Sequence, residues 1–176
     1  MKSGRVEARH PLHPALVYYP IGSIYVSLLA DCIYLVTRVP FWWGMTLWSL
    51  LFGILGMFVA IGPGLWDYAT TGRLMAPRLG VAHMATNGLT LAVLVADVVL
   101  MVAYRSGAGA MFNLTFGLTV AGNVLLGYAA WLGRQMVYVC RVGVAEPGQK
   151  EAPAFRVTLA PEQAEIAHPN EPRDQP

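Results

Sequence analysis

Residues 78–104 read RLGVAHMATNGLTLAVLVADVVLMVAY, an apolar run long enough to cross a bilayer, with its strongly polar residues on one side. At about 100° per helical residue, Asn87, Thr90 and Asp97 all project within about 40° of His83. Hydrocarbon penalises an exposed carboxylate by about 2.5 to 3.5 kcal/mol even on insertion-based scales, so this stripe must face protein or a small aqueous cavity. The remainder of the chain has to supply that protein.

The 176-residue chain is 56% hydrophobic and only 12% charged, too apolar for an ordinary soluble domain. Nearly uncharged runs at 21–36, 41–65, 81–104 and 111–132 approach the ~20 residues that cross a bilayer as helix. The expected fold class is all-α: a four-helix transmembrane bundle over residues 1–144, then a flexible, disordered C-terminal tail over 145–176. That tail is rich in Pro, Glu, Gln and Ala and has no apolar periodicity. Lys2, Arg5, Arg9, Arg73, Arg78, Arg134 and Arg141 share one side of this topology, and Arg38 and Arg105 lie on the other, which puts both termini in the cytoplasm. The formal net charge of +2 follows from that bias and points to the lipid bilayer as partner, with no nucleic-acid role. The N-terminal apolar stretch lacks a small-residue cleavage site and runs on as a full span, unlike a signal peptide. Asp31 departs from the lipidation box that Leu29 to Cys32 otherwise approach. Cys32 and Cys140 belong to opposite ends of the bundle, and no disulfide is expected.

Candidate chemistry gathers at the inner membrane surface. In His10-Pro11-Leu12-His13-Pro14 each proline biases the preceding residue away from helix, which predicts a stiff, extended lead-in carrying two imidazoles. Gly62-Pro63-Gly64 is expected to kink or end the second span just before Asp67, leaving that carboxylate to bond a histidine or a loop amide. His10, His13, Asp67 and His83 therefore reach one level from three separate parts of the chain. As a cofactor-binding set, His13 and His83 are the preferred ligands, His10 an alternate, and Asp67 an orienting partner behind them. His10, His13 and His83 are the candidate metal ligands. The alternative is ordinary interfacial histidines at span ends.

Within the membrane, Asp31 joins Asn87, Thr90 and Asp97 as intramembrane polar residues. Asp31 and Asp97 fall at similar depth, so they either meet and share a proton or each bond a neighbouring Ser, Thr or Tyr. Gly56, Ala60 and Gly64 recur every four residues and offer a close-packing face. There is no Cys-x-x-Cys-His, His-Glu-x-x-His, Gly-x-Ser-x-Gly or phosphate-binding loop, so hydrolases and ATPases are poorly supported. No internal repeat is apparent.

The opening His10-Pro11-Leu12-His13-Pro14 with Tyr19-Pro20-Ile21-Gly22, then Asp31, Asp67, His83 with Asn87, and Val137-Tyr138 before Val142-Gly143-Val144, resembles the bacterial membrane proteins grouped as domain of unknown function 2231. The resemblance covers about the first 144 residues. It departs at Gly133-Arg134-Gln135, where the family pattern has paired glycines before an acidic residue, and at Cys140-Arg141 in place of a basic-histidine pair. It implies a four-helix protein of the bacterial inner membrane, in a family that sometimes accompanies redox domains. The leading functional reading is a redox or electron-transfer component that binds b-type haem or a transition metal and serves a redox protein or other membrane subunit. The rival is a non-catalytic binding or scaffold subunit of a larger complex. A proton-coupled transporter using Asp31 and Asp97 comes third, because four helices without an internal repeat rarely enclose a substrate path unless they form an oligomer. Whether the chain is an enzyme is left open by these residues.

Overall fold

The computed structural model describes residues 12–72, 76–104 and 109–142. Expectations for His10, Arg105 and the tail from 145 onward lie outside the described residues. Within them the regular structure is entirely helical. A single turn, α1 (Leu12–Leu16), leads into α2 (Tyr18–Thr37); α3 (Pro40–Asp67) ends in a π-helical turn, Tyr68–Gly72; α4 (Pro77–Ala103) follows; and α5 (Gly109–Arg134) ends in a second π-helical turn, Gln135–Val139. Four helical stretches, His13–Thr37, Pro40–Thr70, Pro77–Ala103 and Gly109–Val139, are long and apolar enough to cross a membrane.

Two expectations built on prolines are corrected. His13 stands in helix α1, not on an extended lead-in. Pro14 falls in the first turn of that helix, where amides have no intrahelical acceptor to lose. The missing amide at Pro20 accounts for the single irregular residue, Val17, which is bridged by hydrogen bonds from Val17 N to His13 O (3.1 Å) and from Ile21 N to Val17 O (3.2 Å). Pro63 does not end α3, which runs on through it to Asp67. Neighbouring helices and side chains let membrane helices continue through a proline.

The helices form two antiparallel hairpins, α2 with α3 and α4 with α5, which meet through α2 against α5 and α3 against α4. Polarity is arranged inside out. Ser27, Asp31, Thr46, Thr90, Asp97, Thr115, Thr119 and Asn123 are buried, while Leu29, Trp48, Leu55, Phe58, Val99 and Val124 are exposed. Such a surface needs hydrocarbon around it, and the buried hydroxyls and amide turn their donors onto backbone carbonyls and carboxylates.

The hairpins are also copies of one another. His13 and His83, and Ile24 and Leu94, are 70 residues apart; Trp43 and Phe112, Gly53 and Gly122, Ala60 and Ala129, and Gly64 and Gly133 are 69 apart. These positions share environments as well as spacing. A Cβ at Gly53 would meet Ile24 Cγ1 at 2.5 Å, and one at Gly122 would run into Leu94. Each hairpin therefore closes by seating a branched side chain of its first helix on a glycine of its second. Both second helices end in a π-helical turn. Because both hairpins start at the same end of the bundle, the pseudo-twofold axis relating them runs along the bundle. The absence of a repeat expected from the sequence is thereby overturned.

Candidate functional site

At the end of the bundle where the hairpins begin, the two copies bring their histidines together. His13 Nδ1 lies 2.9 Å from the Ala60 carbonyl oxygen and His83 Nδ1 lies 2.9 Å from that of Ala129. A carbonyl oxygen only accepts, so the nitrogen facing it carries the proton, and in the neutral ring the lone pair resides on Nε2. The same tautomer is thus set in both hairpins by equivalent backbone atoms. The carbonyl that Pro63 leaves without its helical donor is that of Val59, four residues back; it is the neighbouring Ala60 carbonyl that accepts from His13. Glycine makes room for each ring one turn further on. A Cβ at Gly64 would lie 2.8 Å from His13 Nδ1, and one at Gly133 would lie 3.3 Å from His83 Cε1.

Both rings are half-buried, and their centroids are 6.2 Å apart with planes at 89°. The Asn87 amide lies 3.2 Å from His83 Nε2 and also donates to the His83 carbonyl at 2.9 Å. Asn87 thus caps the lone pair from the next turn of the same helix. Asp67 sits beside His13, within reach of its backbone amide and its ring; the ring itself is oriented by the Ala60 carbonyl. Asp67 Oδ2 is buried and has no hydrogen-bond partner. Arg134 is exposed. The structure thus brings His13, His83, Asn87 and Asp67 to one level, while His10 lies outside the described residues. Among the described residues no group of three or more His, Cys, Asp and Glu side chains is arranged to hold a metal ion.

A second polar cluster lies deeper. The Thr46 hydroxyl donates to Asp31 Oδ1 at 2.7 Å and the Thr119 hydroxyl to Asp97 Oδ2 at 2.7 Å. Each carboxyl is therefore served by the partner helix of its own hairpin. Thr119 is also in polar contact with Asp31, and the two carboxyls are close enough to interact electrostatically. Thr90 is wholly buried but bonds back to the Thr86 carbonyl at 2.8 Å on its own helix. The intramembrane stripe thus separates into Asn87 with the histidines, Asp97 with the carboxyls, and Thr90 between them.

Sequence reasoning overlooked Ala60, Ala129 and Gly133 as partners of the histidines, and Thr46 as the donor to Asp31. A backbone carbonyl leaves no mark in the residue that bears it. The recurrence of Gly-x6-Ala-x3-Gly at Gly53 and Gly122 was the available signal.

The model of a family described as predicted membrane protein (DUF2231) matches residues 9–146, most of the chain, and the chain belongs to that family. No curated protein and no solved structure matches it.

Proposed function

We propose that the chain is an electron-transfer component of a membrane, binding a b-type haem between its two hairpins with His13 and His83 as ligands. The observation that carries this reading is the matched pair of imidazoles, one from each hairpin, both anchored through Nδ1 to a backbone carbonyl. Metal-ligating histidines are ordinarily held in this way, with the second nitrogen fixing tautomer and ring direction. The two ring centroids stand 6.2 Å apart.

The donor set favours haem over a bare metal ion. A structural metal site commonly needs three or four protein ligands, whereas a haem would need only one or two histidines from the protein. When bound, such a group supplies a one-electron couple. His13 and His83 hold it, Asn87 yields His83 Nε2 while keeping its bond to the His83 carbonyl, and Asp67 holds the His13 turn in place. A redox protein or another membrane subunit would exchange the electron. The membrane in this reading is the bacterial inner membrane with both termini cytoplasmic; a reporter fused after residue 145 that shows periplasmic activity would reverse that orientation.

An absorption spectrum of the purified full chain tests the main claim. A Soret band at one haem per chain is expected, lost in both His13→Ala and His83→Ala. No Soret band together with no stoichiometric metal would leave the histidines as hydrogen-bonding struts and return the reading to a scaffold subunit.

A further inference from the structure

We infer that Asp31 and Asp97 form a proton-binding site inside the membrane, holding one exchangeable proton between them. It stands apart from the haem reading, since it uses neither histidine.

The repeat does not itself account for these carboxyls. The counterpart of Asp97 in the first hairpin is Ser27, fully buried, and the counterpart of Asp31 in the second is Met101, buried to the same degree. A hydroxyl and a thioether fill the equivalent core positions of the other hairpin, so the repeat itself dictates a carboxyl at neither. The two acids differ by one helical turn in register, yet both lie beside Thr119.

Among the described residues no buried cation balances their charge. The four described arginines, Arg38, Arg78, Arg134 and Arg141, are all exposed. Arg38 lies over the Phe112 and Tyr34 rings at 5.0 and 5.8 Å, and the buried Tyr34 phenol, a turn beyond Asp31, is the other titratable group on this side of the pair. From α3 and α5 the pair meets hydroxyls: Thr46 donates to Asp31 and Thr119 to Asp97. Asp97 Oδ1 is left buried without a partner, and so is Asn123 Oδ1, one turn from Thr119 on α5. Two carboxylates and orphaned acceptors in hydrocarbon call for a cation. A proton suits the geometry better than a metal ion, because both hydroxyls already point their hydrogens at carboxyl oxygens. Binding is simple addition: one carboxylate takes a proton from water and the pair loses one negative charge.

Infrared spectroscopy of the full chain in liposomes at neutral pH tests this directly. The wild type should show the carbonyl stretch of a protonated carboxyl, shifted down in heavy water. That band should vanish in Asp31→Asn or Asp97→Asn and change frequency in Thr46→Val or Thr119→Val. Replacing choline chloride with sodium chloride should leave it unchanged. The inference is overturned by a wild type with no such band, by a band insensitive to heavy water, by one that persists unaltered in every variant, or by one that sodium abolishes. The heavy-water and sodium arms decide the matter on wild-type protein even where a variant fails to fold.

Discussion

The histidines show how much a single missing side chain can matter. Gly64 and Gly62 lie on one helix two residues apart, but a Cβ at Gly64 would press on the His13 ring while one at Gly62 would meet nothing within 4 Å. Gly64→Ala should therefore push His13 off the Ala60 carbonyl and destabilise the bundle by about 1 to 3 kcal/mol, the usual range for overpacking. Gly62→Ala should be neutral or slightly stabilising, because alanine favours helix. Gly133→Ala should fall between them, given a 3.3 Å contact. Melting temperatures in detergent would rank the three, and equal values for Gly64→Ala and Gly62→Ala would show that the histidine is not wedged in place. Residue by residue, the sequence revealed which side chains are polar and buried, but not their acceptors. His83 was placed on the right face of its helix by simple angular counting, whereas its acceptor, the Ala129 carbonyl, belongs to a residue with no polar atom in its side chain.

At the scale of the element, hydropathy located all four spans, because an uncharged run of that length has few alternatives to a membrane helix. Prolines misled by over-reading. Both Pro14 and Pro63 have breaker signatures, yet one falls in a first turn where no donor is needed and the other inside a helix that continues through it to Asp67. Whether a membrane helix continues through a proline depends on what packs around it across the bundle, which a window of one helix does not contain. The polar stripe on α4 can be tested as an element. Asp97→Leu strips the Thr119 hydroxyl of its acceptor and should cost about 1 kcal/mol, within the range for interhelical polar contacts in membranes. Val99 is 59% exposed to the surroundings, and Val99→Leu should lie within roughly 0.5 kcal/mol of wild type, as surface changes usually do. Equal shifts in melting temperature would mean that the stripe contributes no stability through its inward face.

For the whole molecule, the repeat explains why the histidines face one another: a residue near the axis of a twofold arrangement meets its own counterpart across it. The repeat escaped sequence reading because the positions that preserve it are scattered buried and half-buried ones. Lipid-facing residues need merely be apolar, so they drift, and what survives is a sparse pattern at intervals of three, four and seven. The pseudo-twofold makes a quantitative prediction about the other end of the bundle. Trp43 and Phe112 are counterparts, their ring centroids 6.1 Å apart, and both pack on Tyr34. Trp43→Phe alone leaves a void, and Phe112→Trp alone forces a larger ring into a site already 1% exposed; each should cost about 1 to 3 kcal/mol. If the two rings share one volume about the axis, the double exchange restores it. The double variant should then be more stable than either single one, with a favourable coupling of about 1 kcal/mol or more in a double-mutant cycle. Strictly additive losses would show that the two sites are shaped independently, and that the repeat survives in backbone spacing but not in the packing of the core.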